Sequence, residues 1–538
     1  MEIKARRDFL KLAGVGAAGA VVTMAESAGA QHAAAKASNR APGAFEVTAF
    51  GAKGDGTTID TPAINRAIEA AAAGGGGTVR FSAGQYLCYS IRLKSNVTLH
   101  LDQGAVIVAA DPLPEGQAGG YDEPEPTQPW EAYQDYGHNH WHNSLIWGEE
   151  LHDISIYGPG RIWGRGLLRS NNPDSHNPAN RRIHGIGNKA ISLKNCRNVV
   201  LKDFQILKGG WFGILATGID NLLIDGLTID TNRDGMDIDC CRNVRIANCA
   251  VNSPWDDAIV PKSSYALGYA RTTENLEISN CYVTGAYEEG TMIDGTWKKF
   301  DPSKKVPHTG RIKLGTESNG GFKNIAISNC VFESCRGLAL ETVDGAICED
   351  IVFTGIAMRD LRQSPLFLRL GARLRGPSGT KVGTLKRIVV SNITSYGADP
   401  LCTNISGMPG YMIEDLKISD VYFHQRGGAD DEIAKRRPPE LENAYPEPTM
   451  FGNLPATGLF VRHVRNLEVS NLEVMTESAD ARPAFWLMDV DGADFFRVKV
   501  PRQSAAPAFN LKDIGDFRVF GCKYLKDAAY ERSGDRSF

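Results

Sequence analysis

Short alternations of apolar and polar residues recur along most of this chain, and nearly all of them open on an Asn or Asp. Within each alternation every second residue is Ile, Val, Leu or Phe, which predicts a β-strand with one buried face and one exposed face. The alternations lie at Asn96–Leu99, Asp153–Ile156, Asn198–Leu201, Asn221–Ile224, Asn243–Ile246, Asn275–Ile278, Asn324–Ile327, Asp350–Phe353, Arg387–Val390, Asp415–Ile418 and Asn466–Val469. From Asn198 to Asn221 and on to Asn243 the intervals are 23 and 22 residues.

A period of about 22 residues with short strands is typical of a parallel β-helix, in which each strand pairs with its equivalent one coil later. Leucine-rich repeats have a similar period, but their fixed Leu spacing is absent here. A propeller needs a longer period with four strands in each unit. We therefore predict an all-β fold, with residues 44–538 forming a single parallel β-helix domain.

The segments that interrupt the repeat predict a cap and a groove. Residues from Asp60 to Ala73 have helical character, and the run from Gly74 to Gly77 ends it. Such a short N-terminal helix would cover the apolar end of a solenoid. The longest interruptions, Pro112–Gln128, Tyr265–Gly310 and Gln425–Pro448, predict loops that build the walls of a binding groove.

The N-terminus predicts export. Ala5–Lys11 carries an Arg pair, a weakly apolar run follows from Leu12 to Ala25, and Ala28–Ala30 resembles a signal-peptidase site. Residues 1–30 thus resemble a twin-arginine signal peptide, and residues 31–43 a flexible lead-in. The resemblance implies recognition by the twin-arginine export machinery and a periplasmic or secreted protein that is exported folded. The apolar run is too short and too rich in Gly and Ala to predict a membrane span, so we expect no membrane association of the mature form.

The net charge and the cysteine spacing bear on which ligands and partners the protein could bind. The chain has 538 residues and a formal net charge of −4, so no basic excess exists to neutralise nucleic-acid phosphates, and we expect no nucleic-acid partner. The eleven cysteines lack metal-type spacing, and no metal or other cofactor is implied. Cys249, Cys281 and Cys330 each follow an Asn at equivalent repeat positions, which predicts a buried ladder of small side chains.

Two acidic patches lie one repeat apart. The first is Asn232–Asp237, with the sequence Asn-Arg-Asp-Gly-Met-Asp, and the second is Trp255–Ile259, with the sequence Trp-Asp-Asp-Ala-Ile. Asp234 precedes Asp256 and Asp257 by 22 and 23 residues, so stacking of coils would gather the three carboxylates on one surface. Facing carboxylates are the minimum equipment for cleaving a glycosidic bond, because one protonates the leaving oxygen while another group activates water.

These two patches, together with Phe50–Thr57 and Asp60, resemble glycoside hydrolase family 28, which contains the polygalacturonases and rhamnogalacturonases. The resemblance runs from about residue 45 to beyond residue 420. It implies a right-handed parallel β-helix that hydrolyses α-linked pectic poly- or oligosaccharides with inversion. It also implies that Asp256 is the general acid, and that Asp234 and Asp257 hold and deprotonate the attacking water.

The resemblance extends to residues that would bind the substrate. Leu314–Gly321 is similar to a stretch of the exo-acting bacterial members, which implies exo action, and Lys262-Ser263 matches the Lys-Ser after their Asp-Asp strand. The family's Gly-His-Gly is missing, although His308 falls nearby. The candidate substrate-binding residues are Asn232, Asp237, Lys262, His308, Arg311, Lys313, Glu317 and Glu341.

One departure bears on the substrate. The Arg-Ile-Lys that grips a uronate carboxylate in the family aligns here with Ala339-Leu340-Glu341, and a negative Glu341 would repel galacturonate. Either Arg311, Lys313 or Lys262 replaces the lost cations, or the sugar in the central subsite is neutral.

Two other functions stay open. A calcium-dependent polysaccharide lyase would use the Asp cluster to hold Ca²⁺ and an Arg or Lys to remove a proton, but the sequence shows no basic residue beside the cluster. A non-catalytic, glycan-binding β-helix would explain the repeat, but it gives no reason for paired acidic patches.

Overall fold

The computed structural model describes residues 43–114, 117–169, 185–301, 303–397, 401–500 and 506–538. Residues from 42 to 538 form one compact unit. The predicted signal peptide (1–30) and residues 31–42 of the lead-in lie outside the described residues. Within the described residues, no helix is both long enough and apolar enough to cross a bilayer.

The first coils consist of short strands with a helix at their start. The strands are β1 (Ala44–Glu46), β2 (Asp55–Ile59), β3 (Gly77–Phe81), β4 (Gly84–Cys88), β5 (Ile91–Arg92), β6 (Val97–Leu101), β7 (Ala105–Ala109), β8 (Ile146–Glu149), β9 (His152–Tyr157), β10 (Arg161–Trp163), β11 (Lys189–Lys194), β12 (Arg197–Lys202) and β13 (Gln205–Leu207). The helix is α1 (Thr61–Ala73), and 3-10 turns lie at Val47–Phe50, Pro129–Tyr133 and Tyr136–Asn139.

The middle coils contain both acidic patches. Their strands are β14 (Phe212–Thr217), β15 (Asp220–Asp225), β16 (Thr228–Asp230), β17 (Asp234–Asp239), β18 (Arg242–Ala247), β19 (Ala250–Asn252), β20 (Ile259–Lys262), β21 (Thr273–Ser279), β22 (Tyr282–Thr284), β23 (Tyr287–Glu289), β24 (Lys298–Lys299), β25 (Lys313–Leu314), β26 (Phe322–Ser328), β27 (Val331–Glu333) and β28 (Leu338–Thr342).

The last coils contain longer strands, which are β29 (Ile347–Leu361), β31 (Thr384–Gly397), β33 (Ile413–Gly427), β34 (Leu459–Ser478), β35 (Phe485–Phe496) and β36 (Phe509–Phe520). Short strands lie among and after them, at β30 (Leu366–Leu370), β32 (Thr403–Ser406), β37 (Ala528–Ser533) and β38 (Arg536–Ser537). A short helix α2 (Asp431–Ala434) and a 3-10 turn at Pro448–Phe451 lie in the loop after β33.

Strands one coil apart pair in parallel, as a β-helix requires. On the face that carries the acidic patches, β5, β8, β11, β14, β17 and β20 form one six-stranded sheet, here called the site sheet. Its register aligns apolar residues of successive coils, so Ile214 pairs with Met236, which pairs with Ile259. These apolar side chains lie in the core, while the alternate residues Asp237 and Asp239 point away from it, as the period-2 pattern predicts.

The Asn that opens most repeats has two structural roles. Asn198, Asn221 and Asn243 adopt φ angles of 55°, 60° and 55°, a left-handed conformation that Asn tolerates better than most residues. Their amides also stack, because Asn221 donates to Asn198 over 2.9 Å and Asn243 donates to Asn221 over 3.2 Å. The same ladder continues through Asn275 to Asn324. Each coil thus turns at a position where Asn fits the backbone and bonds to its neighbour.

Both ends of the solenoid are covered. Helix α1 buries Ile64 and Ile68 against the first coil, close to the bounds predicted from the sequence. At the other end β37 and β38 pair antiparallel with β36, and Phe538 packs against the core. All eleven cysteines are free thiols, and Cys249, Cys281 and Cys330 lie in the core as the ladder that the sequence predicts.

Candidate active site

The two acidic patches meet at one end of the site sheet. Asp234 is the first residue of β17, and Asp256 and Asp257 lie in the turn that leads into β20. The backbones of the two turns are joined, because Gly235 N donates to Asp257 O over 3.0 Å. A Cβ on Gly235 would approach Ala258 O to 2.4 Å, so glycine is required for this close contact.

The structure brings the three predicted carboxyl groups together. One oxygen from each of Asp234, Asp256 and Asp257 lies within 4.8 Å of the others. Asp234 and Asp257 are buried, whereas the side chain of Asp256 is 30% exposed and therefore forms the open side of the cluster. Its Oδ2 is 2.9 Å from Arg233 Nη2, and its Oδ1 accepts a hydrogen bond from Asp257 N.

Asp257 is held as an anion by two buried cations. Arg311 Nε lies 2.8 Å from its Oδ1, and Lys313 Nζ lies 2.6 Å from its Oδ2. Burial alone would raise the pKa of Asp257, but the nearby Lys313 and Arg311 outweigh it and lower that pKa well below its usual range. Asp257 is therefore charged at neutral pH.

Asp234 has the opposite environment. Burial and the negative charges of Asp256 and Asp237 raise the pKa of Asp234 well above its usual range, and Arg233 opposes them only in part. Two neighbouring carboxyl groups whose pKa values are pushed apart are the usual arrangement for acid and base chemistry in one site. The cluster thus combines one carboxyl group that holds its proton more tightly than usual with one that releases it more readily than usual.

A second set of charges forms the floor beside the cluster. Lys262 Nζ lies 2.9 Å from Glu317 Oε2 and 3.8 Å from Asp237 Oδ2. His138 Nε2 lies 2.9 Å from the same Asp237 oxygen, and Arg373 Nη2 lies 3.4 Å from Glu317 Oε1. Burial opposes charge here, yet the attraction between the partners raises the pKa of Lys262 and lowers that of Glu317. These residues form a buried network of ion pairs beside the acid cluster.

Glu341 lies on the C-terminal side of the cluster. Its side chain is fully buried, its Oε2 accepts a hydrogen bond from Thr316 Oγ1 at 3.0 Å, and its Oε1 is 3.9 Å from Arg311 Nη2. Burial raises the pKa of Glu341 to about 7, although Lys313 and Arg311 oppose the rise. At neutral pH this carboxyl group is thus poised between its charged and neutral forms.

The cations considered as replacements for the missing uronate clamp are already engaged. Arg311 binds Asp257 and also Glu447, at 3.1 Å. Lys313 binds Asp257, and Lys262 binds Glu317. Because each is buried against a carboxylate, none of the three offers an unclaimed charge to a sugar carboxylate.

Two predicted binding residues lie at the edge of the cluster. Asn232 is partly buried, and its carbonyl oxygen accepts a hydrogen bond from Arg169 Nη2 at 3.2 Å. The His308 ring is instead held by Gly285 O, at 2.8 Å from Nδ1, and by the edge of Phe300. Burial lowers the pKa of His308, which favours the neutral ring. Its contact with a substrate stays a prediction.

Replacing Glu341 with Gln tests the raised pKa. Between about pH 4.5 and 7 the unfolded chain has lost the Glu341 proton that the folded protein keeps, so this group lowers stability as pH rises. We expect the melting temperature of Glu341→Gln, relative to the wild type, to increase from pH 4.5 to pH 8. Thermal unfolding at several pH values measures this difference, with Glu468→Gln, at a 52% exposed side chain, as the control. Parallel curves for Glu341→Gln and the wild type would contradict the raised pKa.

Among the described residues, two groups have the ligand atoms for a metal ion. One is the cluster of Asp234, Asp256 and Asp257, and the other is Glu125, His142 and Glu149, whose ligand atoms also lie within 4.8 Å of one another. In the cluster, both Asp257 oxygens already face a cation, so an added Ca²⁺ would meet the positive charges of Arg311 and Lys313. Because these two cations lie beside it, the carboxylate cluster is a poorer site for a metal ion than three carboxylates alone would be.

The structure corrects one statement about the lyase alternative. The sequence shows no basic residue beside the acidic cluster, but the fold places Lys313 and Arg311 within 2.8 Å of Asp257. Asp257 raises the pKa of Lys313 despite its burial, and Glu447 and Asp257 do the same for Arg311. Both therefore stay protonated and are unsuited to removing a proton from a sugar.

Comparisons with known proteins agree with this fold. The family model described as rhamnogalacturonase A/epimerase, pectate lyase-like, matches residues 44–127, and that of a right-handed β-helix region matches residues 166–301. A probable polygalacturonase of Vitis vinifera is 26% identical over 333 residues, 58% of this chain and 60% of that protein. The exo-poly-alpha-D-galacturonosidase of Dickeya chrysanthemi is 23% identical over 381 residues, 61% of this chain and 57% of that protein. The match thus spans less than two thirds of either relative.

A solved structure extends the likeness to most of the chain. The hyperthermoactive exopolygalacturonase of Thermotoga maritima superposes with a TM-score of 0.58 at 17% identity, over 81% of this chain and 92% of that one. At such low identity the superposition speaks for the fold. Together with the β-helix family match and the parallel ladders, it shows that this chain is an all-β, right-handed parallel β-helix.

Proposed function

We propose that this protein is a glycoside hydrolase that cleaves α-glycosidic bonds in pectic poly- or oligosaccharides. The observation that carries the proposal is the cluster of Asp234, Asp256 and Asp257, whose carboxyl groups meet in one place in unlike electrostatic environments. The likeness to the polygalacturonase and the galacturonosidase described above supports a pectic substrate.

The geometry suits addition of water across the glycosidic bond. Asp256 lies on the open side, where it would donate a proton to the leaving oxygen. A water that hydrogen-bonds to Asp234 and Asp257 would add its oxygen to the anomeric carbon as the glycosidic bond breaks, and it would give up its proton to one of these two carboxylates. Oxygens within 4.8 Å of each other leave room for one such water, with about 2.8 Å to each oxygen.

We propose that hydrolysis inverts the configuration of the anomeric carbon, which the configuration of the product tests. Carboxyl groups of inverting glycosidases are typically about 6.5–9.5 Å apart, and those of retaining enzymes about 5–5.5 Å. The closest oxygens here lie within 4.8 Å, so the coil spacing alone does not set the outcome. Proton NMR of the first product formed should show the anomer opposite to that of the substrate. A first product with the configuration of the substrate would replace inversion by retention.

We also propose exo action or action on short chains, with a neutral sugar on the Glu341 side of the cluster. Segments from different coils approach each other near Glu317, since Arg375 Nη1 lies 3.8 Å from Asp135 Oδ1 and 3.9 Å from Glu317 Oε1. On the C-terminal side, Tyr445 and Glu447 come from the loop after β33. The engagement of Arg311, Lys313 and Lys262 by carboxylates supports the neutral sugar.

Export through the twin-arginine machinery completes the proposal, with the mature protein in the periplasm or outside the cell. The signal lies in residues 1–30, with Arg6 and Arg7 as its recognition element. Ten buried, free cysteines fit a chain that folds in a reducing compartment before export. Replacing both arginines with Lys should leave the protein in the cytoplasm, and fractionation of the expressing cells measures it.

Mass spectrometry of products from a panel of pectic oligosaccharides tests the activity. Incubation with and without a chelator should give saturated products that each gain one water, equally in both conditions. The size of the released unit reports exo or endo action, and its charge reports whether a neutral sugar or a uronate is freed. Unsaturated products that vanish with chelator would mean a calcium-dependent lyase, and tight binding without any product would mean a glycan-binding scaffold.

A further inference from the structure

Two arginines and two tryptophans lie in contact with one another beside the acid cluster. The Arg233 guanidinium carbon lies 5.2 Å from the centre of the Trp211 ring, and that of Arg169 lies 5.5 Å from the centre of the Trp255 ring. Arg233 Nη1 also donates to Arg169 O over 3.3 Å. The four side chains, here called the arginine–tryptophan rim, are exposed or partly buried. They form a polar and aromatic surface directly beside Asp256.

The charge on this rim is only partly neutralised. Arg233 faces Asp256 at 2.9 Å, but Arg169 has no carboxylate within 4.0 Å among the residues that the structure describes. Burial and the neighbouring Arg233 lower the pKa of Arg169, so a negative ligand would relieve the crowding of the two positive groups. This contrasts with Arg311, Lys313 and Lys262, which carboxylates already neutralise.

We propose that the arginine–tryptophan rim is a subsite for the carboxylate of a uronic acid residue. A guanidinium fork matches a carboxylate in a bidentate geometry, and indole faces pack against sugar rings. The inference rests on the proposed function for the nature of the ligand as a sugar. It adds the place of the uronate, beside Asp256 and next to Trp211, whose neighbour Phe212 pairs with Asp234 of β17.

The arginine–tryptophan rim and Glu341 together restrict the class of saccharide that fits the site. The rim places positive charge beside Asp256 and Trp211, while the buried Glu341 lies on β28, on the other side of the cluster along the solenoid. A saccharide with a uronate on one side of the bond and a neutral sugar on the other fits both surfaces. A uniform polyuronate would place a second carboxylate toward Glu341, which disfavours it.

Binding of monosaccharides tests the subsite without any bond cleavage. Ligand-observed NMR titration at low salt should show that galacturonate binds the wild type about tenfold more tightly than galactose. Arg169→Ala should remove this preference and leave galactose binding unchanged, and Arg169→Lys should keep part of it. Arg165→Ala is the matched control, because Arg165 also lies over an indole, 5.8 Å from Trp163, and is 40% exposed.

The outcomes separate the inference from the proposed function. Equal binding of galacturonate and galactose to the wild type would overturn the subsite, and so would an unchanged preference in Arg169→Ala or an equal loss in Arg165→Ala. Because monosaccharides contain no glycosidic bond to cleave, absence of hydrolysis would refute the proposed function and leave this binding result standing. Hydrolysis without a uronate preference would refute the subsite alone.

Discussion

Replacing Asp256 with Asn is expected to lower kcat on a pectic oligosaccharide by about 10³-fold while substrate affinity changes little. Asn keeps the shape of the side chain and an oxygen that can face Arg233, which lies 2.9 Å from Asp256. It removes the proton that a general acid must deliver to the leaving oxygen. Steady-state kinetics together with a binding isotherm for the same oligosaccharide measures both quantities. Turnover at the wild-type rate would show that Asp256 is not the acid.

The leaving group distinguishes Asp256 from Asp234 as the proton donor. An aryl glycoside with a good leaving group needs little protonation, so loss of the acid costs far less on it than on an oligosaccharide. We expect Asp256→Asn to retain most of its turnover on such a substrate and Asp234→Asn to lose turnover on both. The reverse pattern would assign the proton to Asp234, whose pKa is already raised by burial and by its acidic neighbours.

The repeat made the fold and the acid cluster predictable. The turn positions have a positive φ angle, as at Asn221 and Asn243, and this conformation favours Asn. Asn therefore recurs at regular intervals in the sequence. Since like strands then pair in register, a separation of 22 residues places Asp234 and Asp256 in adjacent coils. Where the period is regular, the sequence separation of two residues therefore predicts whether they lie next to each other in adjacent coils.

The partners of the acids were not predictable in the same way. Arg311 and Lys313 follow the long insertion after β22, which breaks the period. The sequence assigned both to the substrate, whereas each binds Asp257. His138 lies in the loop before β8, with no repeat register to show that it reaches Asp237. Glu447 likewise comes from the loop after β33. Contacts made by insertions depend on loop conformations that a periodic pattern does not encode.

The ion network around Arg311 should matter as much for stability as for chemistry. Replacing Arg311 with Met would leave buried carboxylates at Asp257 and Glu341 with one cation fewer, and Glu447 with Arg336 alone. Because an uncompensated buried charge is costly, we expect the free energy of unfolding to fall by about 3 kcal/mol. Chemical denaturation measures it.

Arg387→Met is the matched control for Arg311→Met. Arg387 binds Asp350 at 2.7 Å, nearly the distance between Arg311 and Asp257, but its side chain is 43% exposed. Exposed ion pairs contribute little, so the control should lose less than about 1 kcal/mol. Adding Asp257→Asn to Arg311→Met should recover part of the lost stability, because it removes the stranded charge. If both arginine variants unfolded at the same denaturant concentration, burial would not be what makes the Arg311 network strong.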